Sequence, residues 1–252
     1  MLRKITSIDF QSNNNTSQCV LIRVDFNVPV ENDLVSDDYR ILKSLPTIQY
    51  CLDQGAKVVL MSHRGRPKGK ADSNLSLMPA GEKLAQLLEM PIKFSHDCIS
   101  EDAIDVSRNL KSGEIHLLEN LRFNPEEEGK IKVNNQSVKV DKKLVSEFRE
   151  KLTSFSDIFV NDAFGTMHRA HSSIVGVKTP LRVAGNLVEK ELLYFGKALE
   201  NKHDKFVVIL GGAKVTDKIP VIKNILNLAS DVIIGGGMTF TFLKSLKGYD
   251  VA

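Results

Sequence analysis

Seven short runs rich in β-branched and aliphatic residues recur down this chain: CVLIRVD (19–25), KVVLMS (57–62), PIKFS (91–95), EIHLLE (114–119), DIFVND (157–162), KFVVIL (205–210) and DVIIG (231–235). As a set they do not alternate apolar with polar residues, which predicts strands covered on both faces. Between them lie amphipathic stretches at helical spacing. Leu144, Val145, Phe148, Leu152 and Phe155 make one stripe within 141–155, and Val215, Ile219, Ile222, Leu226 and Ala229 another within 215–229. Parallel strands need crossovers, and helices between strands supply them. The pattern therefore predicts an α/β protein with a doubly wound parallel, Rossmann-like sheet.

One segment departs from the alternation. Residues 185–201 read as a helix with Val188, Leu192, Phe195 and Leu199 on one stripe, preceded by the loop VKTPLRVAGN, with five strands upstream and two downstream. This predicts an α/β domain over 1–184, a connector helix over 185–201 and the start of a second α/β domain over 202–252. Two strands are too few to cover a sheet, so the second lobe is expected to be incomplete, as though cut after YDVA. The Asn/Ser run at 12–17 and the charged stretch PEEEGKIKVNNQSVKVDKK (125–143) read as surface loops.

Composition narrows the function classes. Lys plus Arg, 34, against Asp plus Glu, 31, leaves a formal charge of +3, too mild and mixed to indicate nucleic acid. The N-terminus lacks an apolar signal region and no run is long enough for a bilayer, which predicts a soluble cytoplasmic protein without membrane contact. Cys19, Cys51 and Cys98 lack metal spacing and are expected to be reduced thiols.

In open α/β sheets, ligands bind beyond the carboxyl ends of the strands, near the point where strand order reverses. The residues predicted there form a consistent set. Asp25 and Asn27 follow the first strand, in RVDFNVP, and His63, Arg64 and Arg66 follow the second, in SHRGRPKGK. Glu119, Asn120 and Arg122 follow the fourth, and VNDAFGTMHRAHSS, with His168, Arg169 and His171, closes the fifth. Each has a structural alternative: a turn before Pro29, a solvated or nucleic-acid-binding basic loop, an ion pair of Arg122 with Glu119 or Glu126. His168 and His171 could hold zinc only with further ligands, and Arg169 between them favours an anion over a cation. Arg40 follows the N-cap cluster Ser36, Asp37 and Asp38, where its charge opposes the helix dipole. A functional role and an ion pair with Asp37 account for it equally. The shared placement on one rim points to an anion site.

GGAKVTDK and GGGMTF follow the sixth and seventh strands. Neither has the spacing of a P-loop or of a dinucleotide fingerprint. Both put glycines at a strand-to-helix turn, where backbone N–H groups accept anions. Lys214 and Lys218 fall one helical turn apart beside one of them, a reasonable phosphate site. An anion site in each lobe suggests transfer between two anionic substrates.

RVDFNVP, SHRGRP, LLENLRF, VNDAFGTMHRAHSS, LGGAKVTDK and IIGGGM, in this order from about Cys19 to about Leu246, resemble the motifs of the phosphoglycerate kinase family. The resemblance implies a monomeric, cytoplasmic, glycolytic and gluconeogenic phosphotransferase. Its reaction would be reversible transfer between 1,3-bisphosphoglycerate with ADP and 3-phosphoglycerate with ATP. The first lobe would hold the glycerate through Asp25, Asn27, Arg40, His63, Arg66, Arg122 and Arg169, with Arg40 also steadying the moving phosphoryl group. Lys214 and Lys218 would grip nucleotide and transferred phosphates, while Gly212, Ala213, Gly236 and Gly237 let backbone approach the nucleotide. Mg2+ would enter with ATP or ADP, its ligand expected beyond Ala252, with no metal site in the chain itself.

Two positions depart from the family's pattern. Arg64 replaces a usual Leu, adding charge beside the glycerate patch or pointing outward, and Met167 replaces a usual small residue. The family's later nucleotide and metal loops would lie beyond Ala252, so the 252-residue chain alone is expected to support little transfer. Two other classes stay open at this stage: a phosphoglycerate-binding fragment without catalysis, and a basic nucleic-acid-binding protein.

Overall fold

The computed structural model describes residues 2–10, 17–133, 136–200, 205–212 and 215–250. The chain divides into two compact units, Met1–Leu192 and Leu193–Ala252.

The first unit starts its sheet with β1 (Cys19–Arg23). A short hairpin, β2 (Val30–Glu31) with β3 (Leu34–Val35), leads into α1 (Tyr39–Asp53) and β4 (Lys57–Met61). There follow α2 (Met78–Leu88), β5 (Ile92–Ser95), α3 (Glu101–Arg108), β6 (Ile115–Leu118) and the single turn α4 (Pro125–Glu128). The antiparallel hairpin β7 (Lys130–Val133) and β8 (Gln136–Lys139) precedes α5 (Lys142–Thr153), β9 (Ile158–Asn161) and β10 (Leu181–Ala184), and the division between the units falls within the next helix, α6 (Asn186–Glu200). Six strands make one parallel sheet in the order β10-β9-β1-β4-β6-β5. Strands are added first on the β4 side of β1 and then on its β9 side, which puts the switch point at β1.

The packing explains why the strand sequences do not alternate. Val20 and Ile22 of β1 join Val58, Leu60, Ile115 and Leu117 in one core, against Ile41 and Ile48 of α1 and Ala80 and Leu84 of α2. Leu21, Val59, Met61, Leu118 and Phe159 turn to the opposite core, against Ile104 of α3 and Phe148 and Leu152 of α5. Successive residues of the central strands serve different layers, both buried, whereas edge strand β5 alternates and leaves Lys93 exposed, paired with Glu114. Each buried aliphatic or aromatic side chain stabilises the fold by roughly 1.5–3 kcal/mol. The α5 stripe is narrower than predicted, since Leu144 at its start is 48% exposed. All three cysteines are free, and burial pushes the Cys19 and Cys51 thiols up to about 12, so neither is a reactive thiolate.

Two segments expected to be loops carry structure. Within VKTPLRVAGN, β10 pairs in parallel with β9 from Leu181↔Ile158 to Ala184↔Asn161. Arg182 lies over the Phe159 ring, 5.3 Å from its centroid, and donates to the Ile174 carbonyl at 2.7 Å. Four residues on a sheet edge are too few to show a periodic pattern. The charged stretch 125–143 forms α4 and the β7–β8 hairpin, in which β8 is exposed throughout.

The second unit contains β11 (Val207–Gly211), α7 (Ile219–Leu226), β12 (Asp231–Gly235) and α8 (Met238–Lys247), with β11 and β12 parallel. Here the expectation of strands covered on both faces fails. Val207, Ile209 and Ile233 are 44%, 74% and 53% exposed. The helix predicted over 215–229 is confined to α7, after a 3-10 turn at Thr216–Lys218. Among the described residues, no helix is long and apolar enough to cross a membrane.

The start of α6 is held unusually well. The Asn186 N–H donates to Thr47 Oγ1 at 2.8 Å, and Leu187 and Val188 donate to Asp162 Oδ1 at 2.9 and 3.3 Å. Glu189 N–H reaches the Gly185 carbonyl at 2.9 Å, so the donors of the first turn are satisfied. Asp162 is fully buried, and burial raises its pKa from the ordinary 3.8 to about 6 against the helix amides and Thr47, which favour the ion. A raised carboxyl pKa means that the folded state binds the proton more tightly than the unfolded chain does. Wild-type stability relative to Asp162→Asn is therefore expected to fall by up to about 3 kcal/mol as pH rises from 4 to 6, levelling off above. Urea unfolding of both proteins across that range checks the sign; a relative stability that rises with pH would refute it.

Candidate functional site

Beyond the carboxyl ends of β1, β4, β6 and β9 lies a cleft of about 720 Å³. Asp25, Asn27, Arg40, His63, Arg66, Arg122 and Arg169 all line it, so the structure brings together every residue predicted for the first-lobe site. Local geometry explains how. The β1 and β4 ends are tied by Ser62, whose Oγ accepts from Phe26 N–H at 2.8 Å and donates to the Val24 carbonyl at 2.9 Å. Gly65 is the central strut. Its N–H donates to Asn27 Oδ1 at 2.9 Å and its carbonyl accepts from Arg122 Nη1 at 2.8 Å. Its φ is +61°, a backbone conformation that favours glycine, and a Cβ there would stand 2.6 Å from Leu75 Cδ2 and push that side chain aside.

The charges are arranged in two tiers. Six cations line the cleft, Arg40, Arg66, Lys68, Arg122, Lys130 and Arg169, against two carboxylates, Asp25 and Glu128. Each carboxylate already has a partner. Arg40 Nη1 lies 2.7 Å from Asp25 Oδ2, and Arg122 Nε lies 3.1 Å from Glu128 Oε1, close enough for charge pairing although its N–H is not aimed at the oxygen. Arg40 thus pairs with Asp25 and not with Asp37, which instead accepts from Tyr39 N–H at 2.9 Å. Arg122 pairs with Glu128, and neither Glu119 nor Glu126 takes that role. Among the described residues, Arg66, Lys68, Lys130 and Arg169 make no salt bridge. Burial pushes the Arg122 pKa down, and Arg169 and Arg66 add to that while Glu128 opposes it. Such crowding of cations favours an anion.

His63 is almost wholly buried, and its Nδ1 lies 3.1 Å from Nη2 of the fully buried Arg23. Burial first, then Arg23 and Arg122, drive its pKa far down, so the ring is neutral. A guanidinium can only donate, so Nδ1 accepts and the ring proton sits on Nε2.

The remaining motif residues separate. Glu119 Oε2 accepts from Ser76 Oγ at 2.7 Å, and its Oε1 accepts from the Leu77 and Asn120 amides at 2.8 and 2.7 Å, which makes it a structural carboxylate. Arg64 neither lines the cleft nor points outward. It turns inward, 8% exposed, and donates to the carbonyls of Val28 at 3.4 Å and Ser76 at 3.0 Å. Met167 is half-buried at the end of a 3-10 turn, and nothing in the structure explains its choice. His168 is exposed, whereas His171 is buried with Nδ1 3.7 Å from Glu127 Oε1. Arg169 alone of the three reaches the cleft.

In the second unit, the Met238 N–H donates to the Gly212 carbonyl at 2.9 Å, and Gly237 caps α8. Gly236 has φ +67°, and a Cβ there would stand 3.1 Å from Gly212 N, so the two glycine turns touch through backbone. Lys218 lies beside them, its Cε 3.0 Å from where a Cβ on Gly212 would be. Ala213 and Lys214 lie outside the described residues.

Sequence reasoning missed Lys68 and Lys130, which line the cleft, and Arg23, which lies behind it. Lys68 was legible as the last cation of SHRGRPK, whereas Lys130 was hidden in a stretch read as loop. Arg23 had one signal, a lone cation inside an apolar strand. Stability and function separate at this site. Arg40→Ala breaks a half-exposed pair and is expected to change unfolding free energy by less than about 1 kcal/mol. Glu119→Ala strips a buried acceptor from three donors and is expected to cost about 2–4 kcal/mol. Denaturant titration of both variants decides it, and comparable losses would contradict this division.

The phosphoglycerate kinase family model matches residues 10–252. The chain is 52% identical over 237 residues to the phosphoglycerate kinase of Kluyveromyces lactis, covering 94% of this chain and 57% of that protein. It is 52% identical over 248 residues to that of Schizosaccharomyces pombe, covering 98% and 58%. The crystal structure of phosphoglycerate kinase from Pyrococcus horikoshii OT3 superposes with a TM-score of 0.81 at 32% identity, over all of this chain and 59% of that one. The chain thus spans somewhat under three-fifths of the length of these relatives.

Proposed function

Because the chain belongs to the phosphoglycerate kinase family, we propose that its first-unit cleft holds 3-phosphoglycerate and that the protein takes part in phosphoryl transfer between that compound and ATP. The observation that carries this is the surplus of cations in the cleft. Arg66, Lys68, Lys130 and Arg169 face it without a carboxylate partner among the described residues. A phosphate and a carboxylate together bring roughly three negative charges at neutral pH, which such a surplus can neutralise. A bounded cleft with its own acids paired off suits a small anion better than a nucleic-acid backbone, which would call for an extended basic track.

The chemistry asks for no general base. In the ATP-consuming direction the nucleophile is a carboxylate, already ionised at neutral pH. His63 could not serve as one, since Nδ1 is engaged by Arg23 and Nε2 carries the proton. It acts as a neutral donor to the ligand. Asp25 orients Arg40, and Arg40 is assigned to the phosphoryl group in transit, where charge spreads over the equatorial oxygens. Asn27 and Arg122, both held by Gly65, fix the rim around the ligand. On the nucleotide side, Lys218 with Gly212, Gly236 and Gly237, together with Ala213 and Lys214, is assigned to the nucleotide phosphates. Among the described residues, no group of three His, Cys, Asp or Glu side chains is placed to hold a metal ion.

Arg66→Ala, Arg122→Ala and Arg169→Ala are each expected to weaken 3-phosphoglycerate binding by roughly 1.5–3 kcal/mol, the loss of a charge-assisted hydrogen bond. Isothermal calorimetry measures this directly. Unchanged affinity in all three would remove the ligand from this cleft.

A further inference from the structure

Behind the cleft runs a buried chain of polar groups that the assignments above leave unused. Arg23 and Ser173 are fully buried and Glu127 is 1% exposed. The Ser173 hydroxyl donates to Glu127 Oε1 at 2.6 Å and accepts from Arg23 Nε at 3.0 Å. The Ser173 amide donates to Glu127 Oε2 at 2.9 Å. Arg23 Nη1 donates to the Val24 carbonyl, and Nη2 to His63 Nδ1 at 3.1 Å.

The direction of these bonds is forced. Glu127 as a carboxylate only accepts, so the single hydroxyl proton of Ser173 points to it. The oxygen's lone pair is then left for Arg23, which only donates. A buried guanidinium also needs a counter-charge, and Glu127 supplies it through one hydroxyl. The chain ends at a histidine that lines the cleft. We propose that Ser173 and Glu127 are positioning residues that, acting through Arg23, hold His63 in its Nε2–H tautomer as a neutral donor at the anion cleft. Only the ligand arm of the test below rests on the function proposed above.

The test is long-range proton–nitrogen NMR of the full 252-residue chain labelled with 15N-histidine, with His63 assigned by its loss in His63→Gln. In the wild type, Nδ1 should appear unprotonated and Nε2 protonated, without titration between about pH 5 and 8. In Ser173→Ala and Glu127→Gln the ring should become a tautomer mixture or begin to titrate. The Kd for 3-phosphoglycerate should rise roughly tenfold, the loss of one well-placed donor. Ser173→Thr, which keeps the hydroxyl, should restore both readouts. A wild-type His63 protonated on Nδ1 overturns the proposal whether or not any variant folds. Folded Ser173→Ala and Glu127→Gln proteins with unaltered His63 signals overturn it equally. A wild type with the expected tautomer, responsive to both substitutions but unable to bind 3-phosphoglycerate, supports the relay and refutes the ligand assignment.

Discussion

Parallel pairing obliges the chain to return to the same edge after every strand, and the rest of the first unit follows from that. With β1 between β4 and β9, the segments leaving three adjacent strands open side by side, and β6 adds a fourth. The two cores fix the register. Val20 and Ile22 belong to one layer and Leu21 to the other, so a one-residue slip would exchange the layers and rotate the rim residues with them. The positions of Asp25, His63, Arg122 and Arg169 are thus set by apolar burial many ångströms away.

The rim is held mainly by uncharged groups. Gly65, Ser62 and Asn120 tie the loops to one another, Asn120 Nδ2 donating to the carbonyls of Arg64 at 2.7 Å and Leu75 at 2.9 Å. Two buried charges lie deeper with compensation: Glu119 with two amides and a hydroxyl, and Arg23 with Glu127 through Ser173. Surplus cations are confined to the rim, where Arg66 and Arg169 are exposed. An uncompensated charge is tolerable near water and costly below it, so an anion site with spare positive charge has to be superficial.

This stratification accounts for what could be read in the sequence. Strand runs such as KVVLMS announce themselves because both faces are buried, and rim residues are legible as whatever polar group follows such a run. Edge elements are different. β10 is short and half exposed and β8 is exposed throughout, so LRVA and the hairpin that holds KIKV look like loop, and Lys130 is lost with them. Partners are harder still. Nothing local says that Arg40 finds Asp25, fifteen positions earlier, or that Arg64 turns inward to the Val28 and Ser76 carbonyls. Ser173 and Glu127 are 46 positions apart and act on a histidine that neither touches. Sequence patterns report which face a residue presents, whereas such relays depend on tertiary pairing alone.

The cleft draws on a single unit. Its lining runs from Asp25 to Arg169, and every residue of it belongs to Met1–Leu192. The relay behind it closes at Ser173, within the same unit. Its two dry cores cover both faces of the sheet, whereas the β11–β12 pair leaves Ile209 and Ile233 open to water. An anion in this cleft, as proposed, would need only the unit whose sheet is covered by two cores. Phosphoryl transfer requires more, because a donor phosphate must be held in line with the acceptor carboxylate while charge builds on its equatorial oxygens. Under the function proposed above, binding and turnover therefore fall to different parts of the chain: the first to a rim whose geometry the core enforces, the second to glycine turns and a lysine beside a thinly covered pair of strands.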